Sequence, residues 1–203
     1  MVLFWIVYGL IILIHLWFCF KELHKYRKIT KVLLMPMLIF YLLLIKVNNA
    51  LIYLALLFGF FGDLFLINSN NPKYFICGCI SFFIGHIFYI IEITKSLPFT
   101  INLIHYLLFL VVIIIYLTLS FIFTRKILKN LTLICGGYSF ILFLALFLSL
   151  LTKNYLVSLG YFIFIISDSV LIFSKKIKKI KREHLYIMST YITAQILIVI
   201  GLT

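Results

Sequence analysis

Residues 155–173 read Tyr-Leu-Val-Ser-Leu-Gly-Tyr-Phe-Ile-Phe-Ile-Ile-Ser-Asp-Ser-Val-Leu-Ile-Phe, an unbroken apolar run with one acid, Asp168, near its end. That length matches the roughly 20 residues an α-helix needs to cross a hydrocarbon core of about 30 Å. Apolar residues follow one another without alternation, which excludes a barrel strand. The same reading extends outward in both directions. Apolar runs broken by short polar or basic stretches give eight candidate spans, roughly 2–20, 32–47, 49–67, 74–92, 100–123, 131–151, 155–173 and 184–202. Hydrophobic residues make up 66% of the chain, charged residues 11%, and the mean hydropathy is +1.25. A soluble globule needs more polar surface than that, so the expectation is an all-α, polytopic, integral membrane protein. The connections leave no room for a separate soluble domain, so residues 1–203 are expected to form one bundle. The first run lacks a basic start and a small-residue cleavage site and is read as a retained helix.

The net charge of +13 is a topology signal. Of the 18 lysines and arginines, only Lys46, Lys95 and Lys153 lie on one set of alternate loops; the rest gather on the other set. The positive-inside rule then makes the four basic loops cytoplasmic and both termini non-cytoplasmic, in a plasma membrane or endoplasmic reticulum. Nucleic-acid binding is the naive reading of such a charge and is set aside. The basic run over 175–182 suits anionic headgroups instead, at about 1 kcal/mol per basic residue near the surface. Cys19, Cys77, Cys79 and Cys135 all fall in or at the ends of spans and read as apolar residues rather than as a disulfide framework or metal pair. The pattern Asn130-Leu131-Thr132 lies on the cytoplasmic side by the charge count, where it stays unglycosylated.

The chain has only five acids, and two recur in the same setting: Gly62-Asp63-Leu64-Phe65-Leu66-Ile67 and Ser167-Asp168-Ser169-Val170-Leu171-Ile172. An ionisable group inside a membrane is costly unless it faces a polar interior, so such residues are candidates for function. The two helices carrying them run in the same direction, and each acid sits about 6–8 Å inside the cytoplasmic end of its span at 1.5 Å per residue. The match continues into the next helices, since Asp63 to His86 and Asp168 to Tyr191 are both 23 residues. A parallel four-plus-four repeat is the expectation. Packed about a pseudo-twofold axis, the carboxyls approach each other and share one proton, giving an acid and a base. Gly59, Gly62, Ser167 and Gly78 permit close helix approach. The bland alternative for each acid is an interhelical hydrogen bond.

Other polar residues are weaker candidates. His86 lies near mid-membrane, and Tyr191 and Gln195 share a face of the last span, so all three are candidates for orienting substrate or water. Lys31 is a candidate for a lipid phosphate, against the commoner role of a snorkelling anchor. His15 and His105 read as structural, and Glu92 as an acid that reaches water at the far end of its span.

These residues resemble the lysoplasmalogenase family, the YhhN-like eight-span membrane proteins. The run Leu57-Phe58-Gly59-Phe60-Phe61-Gly62-Asp63-Leu64-Phe65-Leu66 is similar to the family's first acidic motif, and Phe75-x-x-Gly78 through Gly85-His86-x-x-Tyr89 to the helix after it. Phe164-Ile165-Ile166-Ser167-Asp168-Ser169-Val170-Leu171 is similar to the second acidic motif, and Tyr191-x-x-Ala194-Gln195 to the closing helix. One departure is Pro36, which follows Lys31 by five residues where a nearer proline is expected. The resemblance implies hydrolysis of the vinyl ether bond of a lysoplasmalogen to a fatty aldehyde and a glycerophospho-ethanolamine or -choline. Asp63 and Asp168 would be the catalytic acids, and Lys31, His86, Tyr191 and Gln195 the substrate-binding residues. The chemistry suits an acid pair: protonating the β-carbon of a vinyl ether makes an oxocarbenium ion, to which water adds. No cofactor or metal is expected, the partners are a lysophospholipid substrate and membrane lipid, and the oligomeric state is left open. Two alternatives stand beside this one: from another class, a proton- or cation-coupled transporter, and, keeping the lipid but changing the chemistry, a metal-dependent intramembrane lipid hydrolase using Asp63, His86 and Asp168.

Overall fold

The computed structural model describes residues 1–98, 132–176 and 178–203, with six single residues between them. Apart from those six, the fifth candidate span (100–123) lies outside the described residues, as do His105, Arg125, Lys126, Lys129 and Asn130. Seven helices are described: α1 (Val2–Phe20), α2 (His24–Leu44), α3 (Ala50–Leu66), α4 (Pro72–Thr94), α5 (Thr132–Leu151), α6 (Tyr155–Lys176) and α7 (Glu183–Leu202). There is no strand among the described residues. Among the described residues, four helices are long and apolar enough to cross a membrane: α1, α4, α6 over Tyr155–Ser174, and α7. The second span needs correction. Its helix starts at His24, eight residues before the apolar run, because nothing in His24–Lys31 breaks a helix and that basic stretch lies along a cavity.

Short-range chemistry sets the ends. Asn49 and Asn71 cap α3 and α4, each side chain accepting from the backbone two residues on (Leu51 N, 3.2 Å; Lys73 N, 3.0 Å), and Pro72 occupies a first-turn position whose amide has no helical partner. Three helices close with left-handed residues at φ near 55°, namely Glu22, Lys46 and Lys153. At the end of α1, for example, Leu23 N reaches Phe18 O (2.9 Å) and Glu22 N reaches Cys19 O (3.2 Å), the paired bonds of a Schellman closure.

The helices pack as neighbours, α3 along α4, α6 along α7, and α5 against both α4 and α6. Small residues make this possible. A methyl group on Gly62 would sit 2.6 Å from the Phe82 ring, and one on Gly160 would sit 3.0 Å from the Ala194 carbonyl, so α3–α4 and α6–α7 are in close contact there. Polar cross-links join them further: Ser149 Oγ to Ser158 Oγ (2.9 Å), Ser167 Oγ to Ile187 O (3.0 Å) and Asn154 Nδ2 to Gly201 O (2.6 Å). The interior is apolar, with Leu34, Leu38, Leu42, Ile52 and Leu56 fully buried. Leu3, Leu10, Leu13, Phe40 and Phe162 are equally apolar but exposed, an outer surface suited to acyl chains rather than to water.

No disulfide joins the four cysteines, and only Cys19 and Cys135 are buried, while Cys77 is on the outside of α4. Glu92 pairs with Lys95 at 2.8 Å on the last turn of α4.

Candidate functional site

Where α1, α3 and α6 end and α2, α4 and α7 begin, a cavity of about 960 Å³ opens. Asp63 and Asp168 both line it, as do Lys31 and Tyr191. Asp63, 1% exposed, is held at both oxygens: Lys31 Nζ lies 3.1 Å from Oδ1, and the Tyr191 hydroxyl donates to Oδ2 at 2.9 Å. Asp168 accepts a hydrogen bond from Tyr138 on α5, and its Oδ2 is buried with no partner among the described residues. The two carboxyls therefore bond to different groups rather than to one another. A buried carboxylate is tolerable only with a compensating charge, and Lys31 supplies it for Asp63. No cation contacts Asp168 among the described residues.

Aromatic rings form the inner wall. Phe82, Phe164 and Tyr191 meet edge to face, with centroids 5.5 to 6.4 Å apart. Outside the acids the lining turns basic: Arg27, Lys28, Lys178, Lys179 and Arg182, with Glu22 and Glu183 among them. Arg182 lies 3.9 Å over the Phe20 ring, tying the α6–α7 linker to the end of α1. Glu183 accepts from Ser174, which closes that linker on the other side.

Of the six residues singled out from sequence, Lys31, Asp63, Asp168 and Tyr191 line the one cavity, and His86 and Gln195 do not. Gln195 accepts from the Tyr89 hydroxyl at 3.2 Å, deeper between α4 and α7. His86 packs edge to face on Phe164 (4.7 Å, 88°) and meets the Tyr161 hydroxyl at Nδ1 (3.4 Å). The Lys31 ammonium, a candidate for a lipid phosphate from sequence, is bonded to Asp63. That pairing had a readable signal, because both residues sit at the same end of consecutive antiparallel helices. Tyr138 had none; its place beside Asp168 depends on how α5 packs. His15 is structural as expected, bonded to Thr30 Oγ1 at 2.7 Å. Among the described residues, no three His, Cys, Asp or Glu side chains gather as a metal-binding set.

A helical bundle with an apolar exterior, holding an ion-paired acid and a second acid in one cavity with a basic mouth, defines the class as a helical membrane protein with an enclosed polar site. The chain belongs to the YhhN family, whose model matches residues 26–202 and which is the lysoplasmalogenase-type family that the acidic motifs resemble. Comparison with curated proteins gives no match, and neither does comparison with solved structures.

Proposed function

We propose that the protein is a lysoplasmalogenase, hydrolysing the vinyl ether of a 1-alkenyl lysophospholipid. The observation that carries this reading is the cavity's polarity gradient: two acids against an aromatic wall, then a cationic mouth. A lysolipid has matching chemistry, with a phosphate that suits the mouth and an enol ether a few ångströms farther in. The different partners of the two acids suggest different roles. Asp63, ion-paired, is the carboxylate that stabilises positive charge. Asp168, with no cation in contact, carries the proton.

In this scheme Asp168 gives its proton to the β-carbon of the vinyl ether, whose π electrons form the new C–H bond. The resulting oxocarbenium ion is stabilised by Asp63. Water adds to the cationic carbon and returns a proton to Asp168. The hemiacetal then breaks its bond to the glycerol oxygen, which takes up the hydroxyl proton, leaving a fatty aldehyde and a glycerophospho-alcohol. With the basic mouth at the cytoplasmic face, both termini lie at the opposite face. Incubating purified protein with a 1-alkenyl lysophospholipid and its 1-acyl analogue tests the reading. Aldehyde from the first with no fatty acid from the second is expected; fatty acid release, or no turnover of either, would overturn it.

A further inference from the structure

Two buried side-chain atoms have no hydrogen-bond partner among the described residues: His86 Nε2 and Asp168 Oδ2. They belong to one neighbourhood. The His86 ring is 6.0 Å from the Tyr138 ring, and Tyr138 donates to Asp168. Phe164, one helical turn before Asp168 on α6, lines the cavity and carries the His86 ring against its edge. His86 is 1% exposed and surrounded by Tyr89, Tyr138, Tyr161 and Phe164, so bulk water does not reach it. Leaving a polar atom unpaired in such surroundings costs free energy, and buried atoms of this kind are regularly satisfied by internal water.

We infer that His86 Nε2 and Asp168 Oδ2 bind water in a recess behind Phe164, and that this is the water consumed in hydrolysis. The inference rests on the lysoplasmalogenase reading for its catalytic part and on packing alone for the water site. With the Tyr161 hydroxyl donating to Nδ1, Nε2 bears the ring proton and donates it to the water oxygen. Once Asp168 has protonated the substrate, its carboxylate accepts a hydrogen bond from that same water. One lone pair remains to attack the oxocarbenium carbon, and the water proton passes to Asp168, restoring the carboxylic acid. His86 is thus a positioning residue for the nucleophile.

Two measurements test this. The first is a structure of the full chain in lipid at a resolution that shows ordered water. Density within hydrogen-bond distance of His86 Nε2 and Asp168 Oδ2, lost in His86→Ala, is expected; an empty recess, or a protein group bonded directly to Nε2, would overturn the site. The second is turnover of a 1-alkenyl lysophospholipid in water–methanol mixtures, where methanol capture of the cation gives a mixed acetal. His86→Ala should raise the ratio of acetal to aldehyde severalfold, with KM unchanged and partial rescue in His86→Gln. A merely structural His86 would lower both products together, and an unchanged ratio overturns the catalytic part. The density does not depend on turnover, so an inactive protein with ordered water here refutes the enzymatic reading and leaves the water site standing.

Discussion

Lys31 on α2 and Asp63 on α3 form an ion pair at 3.1 Å with the acid fully enclosed, and Tyr191 on α7 closes the carboxylate's other oxygen. Three helices are thus pinned to one side chain at the wall of the cavity. A buried pair stripped of one partner typically destabilises by 3–5 kcal/mol, because the remaining charge has nothing to offset it. Lys31→Met should therefore lower the thermal midpoint substantially, and Lys31→Met combined with Asp63→Asn should recover most of the loss. Thermal unfolding in detergent checks this; additive losses in the double variant would sink it.

The two aspartates should separate on stability. Asp168→Asn keeps the shape and an acceptor for Tyr138 and leaves no buried cation behind, so the protein should stay as stable as the parent while aldehyde release falls by about 10²–10⁴. Asp63→Asn should lose activity and stability together, since Lys31 is then unpaired. Equal stability of the two variants would refute the assignment of the carboxylate to Asp63.

Tyr191→Phe removes one hydrogen bond to an ionised group, worth about 1.5–3 kcal/mol. The expected result is a lower thermal midpoint and a reduced kcat, with little change in KM, because Tyr191 acts on Asp63 rather than on the headgroup. A rise in KM alone would place Tyr191 in substrate binding instead.

Arg27 and Lys28 stand at the mouth, apart from the acids. If they meet the lysolipid phosphate, Arg27→Gln with Lys28→Gln should raise KM severalfold at constant kcat, and high salt should shrink the difference between variant and parent. Unchanged KM would remove the mouth from headgroup recognition.

Gly62→Ala places a methyl group 2.6 Å from the Phe82 ring, so the ring must move or α3 and α4 must part. Overpacking of this kind costs about 1–3 kcal/mol. Because Phe82 also lines the cavity, activity should fall with stability, whereas Gly9→Ala, with nothing within 4 Å, should be silent in both.

The sequence by itself determined what depends on local chain properties. Helix positions follow from the length of each apolar run, and six of the described helices begin and end within about three residues of the expected spans because asparagine caps and left-handed closures act over a few residues. That Asp63 and Asp168 lie toward the same end of the bundle was legible for the same reason, since helix direction alternates from span to span. Only the tertiary structure decided which side chain each acid meets. In an aqueous protein a polar stripe marks the outward face of each helix, but here nearly every face is apolar, and sequence pattern carries no record of how a helix is turned about its own axis. That rotation is set by close contacts such as Gly62 against Phe82 and Gly160 against Ala194, made between residues distant in the chain. It brings Lys31 to Asp63 and Tyr138 to Asp168, and it turns His86 behind Phe164 rather than into the cavity.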